Sequence, residues 1–218
     1  MEPNLFFDLD GTLCNSEEGI LNAVCYAIDR LGLPPQERGQ LRHFIGPPLS
    51  RTFAADYGLS PEAAQRAVDT YREYYNARGI FECRLYEGIP ELLDRLSRAG
   101  YGLVLATCKP TVMARRVLEH FGIAGRFRLI SGPELDGTRG EKHEVIAWAT
   151  EQLGLHDPRR ILMIGDRRDD VLGARRCGID CAGVLWGFGT ETELTGAGAA
   201  YLFRSPVEAA ERIPAILS

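Results

Sequence analysis

Two carboxylates lie close together near the N-terminus, in segment 8–12 (DLDGT), directly after the apolar run 5–7 (LFF). An apolar run that stops at a carboxylate is typical of a buried strand that ends at the sheet edge where open α/β folds bind ligands. Alternate residues of an extended segment share a face, so Asp8 and Asp10 can point into one site, and Gly11 permits the tight turn that follows. Such close carboxylates repel each other unless a cation or a shared proton compensates. The pair indicates chemistry; a solvated turn after an edge strand is the structural alternative.

Three more carboxylates follow the apolar segment 161–164 (ILMI), as Asp166, Asp169 and Asp170. Acidic groups at a sheet edge are the oxygen ligands that a hard cation such as Mg²⁺ prefers, with waters completing its octahedron. The macrodipole of a helix N-terminus also favours acidic residues. That alternative explains Asp169 and Asp170, but hardly explains Asp166, which stands where the strand is predicted to end.

Two other positions carry weaker signals. Thr107, Cys108 and Lys109 follow the apolar segment 102–106, and a hydroxyl with backbone N–H groups at a helix start suits a phosphate. Threonine at such a place is also an ordinary helix cap. Lys142 stands where a helix begins, although the macrodipole disfavours a cation there. An anionic neighbour would explain this lysine, and a solvated surface residue is the alternative.

The elements that must position these residues alternate between helix and strand from residue 88 onward. This alternation predicts an α/β fold with a parallel, doubly wound sheet. The predicted strands are 5–7, 102–106, 127–130, 161–164, 182–185 and 201–203. The predicted helices are 89–99, 111–121, one around 145–148, 171–177 and one after Ser205, where Glu208 completes a capping box.

Between the first strand and this repeating part, about seventy residues show helical periodicity only. Ile20, Val24, Ile28 and Leu31 share one predicted helical face, and Ser60 is a predicted N-cap. Further helices are expected at 49–57 and from 61 to about 79. The sequence therefore predicts an α/β core domain of residues 1–15 and 86–218 and a helical insertion of residues 16–85.

Composition narrows the function classes. The chain has 218 residues and a formal net charge of −5, so no basic surface indicates a nucleic acid polymer as partner. No apolar stretch reaches the roughly 18 residues of a membrane span, and no secretory leader is recognisable. Six cysteines without CxxC spacing favour free thiols over a zinc site or a disulfide framework. We therefore expect a cytoplasmic protein with no membrane partner.

The order of an acidic pair, a threonine, a lysine and Gly-Asp-x-x-x-Asp resembles the haloacid dehalogenase-like hydrolases over essentially the whole chain. The helical insertion resembles the α-helical cap of the phosphoglycolate phosphatase-like branch, as does segment 44–49 (FIGPPL). Segments 79–82 (GIFE) and 135–139 (LDGTR) further resemble bacterial members grouped with 5′-nucleotidases. The resemblance implies a Rossmann-like core with an inserted cap.

The resemblance also implies roles for the acidic pair. Asp8 would attack phosphorus to form an aspartyl-phosphate, and carboxylates are capable of this chemistry. Asp10 would protonate the leaving oxygen and then deprotonate the hydrolytic water. Family members that displace halide from carbon lack the second aspartate, so dehalogenation is not expected here.

The remaining site residues follow from the same resemblance. Mg²⁺ would be held by Asp8, the backbone carbonyl of Asp10 and Asp166, while Asp170 would act through water or by orienting Lys142. Family spacing selects Asp170 over the adjacent acid.

Phosphoryl and substrate contacts are implied as well. Thr107 and the backbone N–H of Cys108 would hold the transferring phosphoryl oxygens, with Lys142 offsetting charge. Gly11 and Lys109 would contact substrate, with Lys109 reaching its distal part, and the turn at Gly46 of the cap would take part in substrate choice.

These implications predict a Mg²⁺-dependent phosphatase for a small phosphorylated metabolite, either phosphoglycolate or a nucleoside 5′-monophosphate, working as a monomer or homodimer. A sugar phosphomutase on the same scaffold is the alternative enzyme. A phospho-accepting signalling domain is a further alternative, because receiver domains also place acidic residues, Thr and Lys at strand ends.

Overall fold

A computed structural model describes residues 2–217 of the chain. The chain folds into two compact units. The first comprises the N-terminal residues up to Cys14 together with those from Leu85 onward, and the second comprises Asn15–Arg84. The boundaries expected from the sequence, after residues 15 and 85, differ from these by one residue.

The first unit contains a six-stranded parallel sheet with strand order β3-β2-β1-β4-β5-β6. Its strands are β1 (Asn4–Phe7), β2 (Gly102–Ala106), β3 (Leu129–Ser131), β4 (Ile161–Gly165), β5 (Asp180–Val184) and β6 (Tyr201–Phe203). Strand β1 is central, because its Asn4 is in register with Gly102 on one side and with Ile161 on the other. Strands β1, β2 and β4 are buried along their whole length, which is why they read as continuous apolar runs. The predicted α/β fold is confirmed.

Helices form the second unit, and their buried faces follow the predicted periodicity. They are α1 (Glu17–Arg30), α2 (Leu49–Tyr57) and α3 (Pro61–Ala77), with 3₁₀ segments at Arg38–Phe44 and Gly79–Phe81. The Ser60 hydroxyl accepts the Ala63 N–H at 3.2 Å, so the predicted cap of α3 is present. Leu31 was placed wrongly on the buried face of α1, because it lies beyond the last helical residue and is exposed.

The helices of the first unit are α4 (Ile89–Arg98), α5 (Thr111–His120), α6 (Lys142–Gln152), α7 (Arg168–Arg176), α8 (Glu191–Ala197) and α9 (Pro206–Ile216). A buried cluster joins the sheet to α6 and α7, with Phe6 and Met163 from the strands and Ile146 and Val171 from the helices. Short 3₁₀ turns lie at Ala124–Arg126 and Pro158–Arg160. Two further strands, Cys14–Asn15 and Arg84–Leu85, form a separate two-stranded sheet.

Several local predictions were wrong in detail. Helix α8 was not predicted, and the predicted strands 127–130 and 182–185 lie at Leu129–Ser131 and Asp180–Val184. The Ser205 hydroxyl caps α9 by accepting the Glu208 N–H, but the Glu208 carboxylate accepts the N–H of Arg204 instead of closing a capping box. Within residues 2–217, no helix combines the length and apolar character needed to cross a membrane.

Candidate active site

The acidic residues predicted from the sequence meet at the carboxyl edge of the sheet. Asp8 follows β1 and Asp166 follows β4, and these two strands are direct neighbours. Asp170 joins them from the first turn of α7. One carboxylate oxygen from each of the three lies within 4.8 Å of the others, and all three side chains are buried.

Lys142 supplies the positive charge of this cluster. Its ammonium lies 2.8 Å from Asp8 Oδ1 and 2.7 Å from Asp170 Oδ1, and it donates to the Ala106 carbonyl at 2.9 Å. Only 5% of its side chain is exposed. These anionic neighbours give the physical reason for a lysine at the start of α6.

Burial and charge act against each other in this cluster. Loss of solvent, partly offset by Lys142, raises the pKa of Asp8 to about 6. Burial and the nearby carboxylates of Asp170 and Asp8 raise the pKa of Asp166 well above its ordinary value. Burial alone would lower the pKa of Lys142, but Asp170 and Asp8 raise it well above the ordinary value and keep the lysine charged. One ammonium does not compensate three buried carboxylates, so the cluster favours a further cation.

The donor set fits Mg²⁺. Carboxylate oxygens are the hard ligands that this ion prefers, and three of them converge in a space from which water is largely excluded. The pKa values of Asp8 and Asp166 are raised because their ionised forms are unfavourable in this buried site. A bound divalent cation would stabilise the ionised forms.

Asp10 is paired with a second lysine. Lys109 Nζ lies 2.8 Å from Asp10 Oδ2 and 2.9 Å from Oδ1, and little of either side chain is exposed. The sequence placed Lys109 at the distal part of a substrate; in the structure its ammonium contacts the carboxylate expected to transfer protons. A role of Lys109 in substrate binding stays a prediction.

The turn after β2 contains the predicted phosphoryl-binding residues. Thr107 is buried, its N–H donates to the Ser131 carbonyl at 3.0 Å, and its hydroxyl accepts the Lys109 N–H at 3.2 Å. Burial raises the pKa of the half-buried Cys108 thiol to about 12, so this residue is a neutral thiol and a poor nucleophile.

Two glycines were predicted to bind substrate. Gly11 has φ +85°, and a Cβ added there would lie 2.2 Å from Asp166 Oδ2, so a side chain has no room at this turn. Gly46 has φ +109° and belongs to the second unit. Contact of either glycine with substrate stays a prediction.

The sequence reading missed the loop 186–189 that follows β5. Its Trp186 indole donates to the Thr12 carbonyl at 2.9 Å, and the Phe188 N–H donates to Asp166 Oδ2 at 2.8 Å. Alternating glycines in the segment WGFG could have marked a close backbone approach here.

The doubly wound sheet gathers three carboxylates, a lysine and a threonine at its carboxyl edge. The sequence model of the family described as haloacid dehalogenase-like hydrolase matches residues 5–184. The chain belongs to this family, which confirms the prediction. It is an enzyme of the phosphoric monoester hydrolase class, as predicted.

Individual relatives cover most of the chain. A 5′-nucleotidase from Pseudomonas aeruginosa is 47% identical over 192 residues, covering 88% of this chain and 86% of that protein. The tyrosine-protein kinase PtkA of Mycobacterium tuberculosis is 44% identical over 85% of this chain, which spans only 62% of that protein. A phosphoglycolate phosphatase from Agrobacterium fabrum is 31% identical, covering 86% of this chain and 82% of that protein.

The fold is also similar to that of solved structures. The crystal structure of a predicted phosphatase from Clostridium acetobutylicum superposes with a TM-score of 0.94 at 41% identity. The match covers 99% of this chain and 100% of that one, so it includes both units of the chain.

Proposed function

We propose that the protein is a Mg²⁺-dependent phosphatase that hydrolyses a small phosphomonoester through an aspartyl-phosphate on Asp8. The observation that carries this proposal is the buried cluster in which Asp8 contacts the Lys142 ammonium and lies beside Asp166 and Asp170. Such a cluster costs folding free energy, and chemistry at Asp8 gives a reason for it.

The reaction divides into two displacements at phosphorus. A carboxylate oxygen of Asp8 forms a bond to phosphorus while the bond to the leaving oxygen breaks, and Asp10 gives its proton to that oxygen. A water molecule then attacks the aspartyl-phosphate, Asp10 takes a proton from the water, and inorganic phosphate and the Asp8 carboxylate are released.

Electrostatic positioning supports both displacements. The Lys142 ammonium offsets the charge of the nucleophile and of the phosphoryl group, and Thr107 with the Cys108 N–H binds the phosphoryl oxygens. Loss of one such preorganised donor typically costs about 3 kcal/mol of transition-state stabilisation.

Asp8, Asp166 and the backbone carbonyl of Asp10 would hold Mg²⁺, with Asp170 acting through water or through Lys142. When bound, the ion supplies positive charge that polarises the phosphoryl group. Asp8 and Asp170 also accept hydrogen bonds from the Lys142 ammonium.

Relatives suggest two substrates to test first, a nucleoside 5′-monophosphate and phosphoglycolate, after the 5′-nucleotidase and the phosphoglycolate phosphatase described above. A panel of phosphorylated metabolites with Mg²⁺, read as phosphate release, tests the proposal. The Asp8→Asn protein, purified identically, controls for contaminating phosphatases. No phosphate release from any monoester by the wild-type protein would contradict it.

The similarity to PtkA motivates a second candidate, phosphoryl transfer to a tyrosine hydroxyl. Incubation with ATP labelled at the γ-phosphate separates the two, because a kinase leaves labelled phosphotyrosine and a phosphatase releases free phosphate. A sugar phosphomutase would instead convert a sugar phosphate of the metabolite panel into its isomer without releasing phosphate, and a signalling domain would remain as a lasting phosphoprotein.

We also propose that the enzyme works in the cytoplasm as a monomer or homodimer. Six free cysteines suit a reducing compartment. Light scattering on the purified protein tests the oligomeric state.

A further inference from the structure

The loop after β5 reaches two parts of the candidate active site. The Trp186 indole N–H donates to the carbonyl of Thr12, in the turn after β1, at 2.9 Å. Two residues later, the Phe188 N–H donates to Asp166 Oδ2 at 2.8 Å. The loop therefore joins the end of the first strand to the end of β4.

Thr12 also binds Asp166 directly. It is fully buried, and its hydroxyl donates to Asp166 Oδ1 at 3.3 Å. Each carboxylate oxygen of Asp166 thus accepts one hydrogen bond, and one of the two donors is itself anchored by Trp186. Asp166 is completely buried, so it needs such donors within the protein.

The backbone of the loop lies against Asp166 with no space to spare. A Cβ on Gly187 would lie 2.4 Å from Asp166 Cβ and 2.3 Å from the Gly11 carbonyl oxygen. A Cβ on Gly189 would lie 1.8 Å from the Asp166 carbonyl oxygen. All three distances are far below van der Waals contact, so the loop needs glycine to come this close.

We propose that Thr12 and the loop Trp186–Gly189 form a clamp that positions the Asp166 carboxylate for the divalent cation. The clamp rests on the proposed function, because it presumes that Asp166 is a metal ligand. Thr12 and Trp186 would act through Asp166 and not on the reacting atoms, so they are positioning residues. Partners that orient a ligating carboxylate typically account for about 10- to 100-fold in metal affinity.

Mg²⁺ titrations of four variants test the clamp, with the rise in melting temperature giving the apparent affinity. Thr12→Val keeps the shape and loses the hydroxyl, and we expect about a 10-fold weaker affinity. Trp186→Phe loses the indole N–H, and we expect a smaller weakening, because its effect passes through Thr12. Thr12→Ser keeps a hydroxyl and should bind Mg²⁺ as the wild type does.

Trp148→Phe is the matched control for the tryptophan substitution. Trp148 packs from α6 against the buried cluster of the first unit, and the guanidinium of Arg139 lies 4.4 Å from its ring centroid. The Trp148→Phe variant should bind Mg²⁺ with wild-type affinity. Saturating Mg²⁺ should restore the activity of Thr12→Val, since its defect lies in affinity. Circular dichroism of each metal-free variant checks the fold.

Three outcomes overturn the clamp. Wild-type affinity in both Thr12→Val and Trp186→Phe overturns it and leaves the proposed function standing. Equal weakening in Thr12→Ser and Thr12→Val also overturns it, because the hydroxyl would then be irrelevant. No Mg²⁺ binding by the wild-type protein overturns both the clamp and the metal dependence of the proposed function.

Discussion

The two units of the molecule place their charged side chains differently. Among the described residues, every buried charged side chain lies in the first unit, and the second unit buries none. The buried set comprises Asp8, Lys109, Lys142, Asp166 and Asp170. Ion pairs of the second unit, such as Arg42 with Glu17 and Arg72 with Asp69, are open to solvent.

This difference shows where the fold gives up stability. Removing charges from water is unfavourable even when they are paired, whereas a surface ion pair changes the free energy of unfolding little. In the described part of the chain, the second unit buries no charged side chain and avoids this unfavourable free energy. Within residues 2–217, the first unit buries charged side chains only at the carboxyl edge of its sheet. We attribute the difference to catalysis at that edge.

The largest expected effect is on turnover. Asp8→Asn should abolish phosphate release, because an amide cannot form the aspartyl-phosphate, while circular dichroism stays that of the wild type. The same substitution in the second unit, Asp69→Asn, should leave turnover unchanged, because 59% of the Asp69 side chain is exposed. More than a trace of activity in Asp8→Asn would remove Asp8 from the nucleophile role.

Metal removal should also stop the reaction reversibly. The stabilisation of the fold by the metal should depend on pH. Burial raises the pKa of Asp8 to about 6 and the pKa of Asp166 well above its usual range, so the metal-free native state keeps protons on these carboxylates at pH values where the unfolded chain has lost them. Stability from Asp8 is therefore present at low pH and lost as pH rises through about 6.

Protons compete with the cation at these carboxylates. Mg²⁺ should thus raise the melting temperature more at about pH 7.5 than at about pH 5. Equal increments at both values, measured by calorimetry, would argue against a metal site at these residues. Turnover that persists in a chelator would contradict the metal dependence itself.

A smaller effect is expected on stability when one positively charged side chain of each unit is replaced. Lys142→Met leaves Asp8 and Asp170 buried without their partner and should cost about 3–5 kcal/mol in the free energy of unfolding. Arg42→Met breaks an exposed pair and should change it little. Urea denaturation of both variants measures the two changes in the free energy of unfolding. Similar decreases in both variants would contradict the difference between buried and exposed ion pairs of the two units.

The smallest effect is expected at Cys108. Burial raises its thiol pKa to about 12, so iodoacetamide should inactivate the enzyme slowly and Cys108→Ser should keep nearly wild-type turnover. Thr107→Val, one residue away, should lose about a hundredfold in kcat as a positive control. Strong inactivation of Cys108→Ser would give the thiol a role that this geometry does not explain.

Sequence alone predicted much of the fold because its signals are local. Strands β2 and β6 match their predicted bounds, and α2 does as well, since each is a short apolar or periodic segment between turn residues. Helix α8 was missed because it is only seven residues long and buries a single side chain, Leu194, so it shows no periodic face.

Some residues of the candidate site could be predicted from local sequence signals, and others could not. Asp8 and Asp166 could be chosen from strand ends, because each signal lies within a few residues. The helix position of Lys142 favours a surface lysine when taken alone, and only the family resemblance selected this residue. The pair Lys109–Asp10 and the contact of Trp186 with Thr12 join residues 99 and 174 positions apart, and no local pattern encodes them. They depend on the sheet order and on turn geometry.

The central place of β1 has a consequence for how the chain assembles during synthesis. The strand that leads to Asp8 is made before both of its neighbours, which begin at Gly102 and Ile161, after the whole second unit. Pairing of distant segments is slow because a long loop must close first. The nascent chain therefore carries Asp8, the proposed nucleophile, beside a strand that has no neighbour until β2 has been made, and a chain arrested before β4 lacks Asp166 and Asp170 altogether.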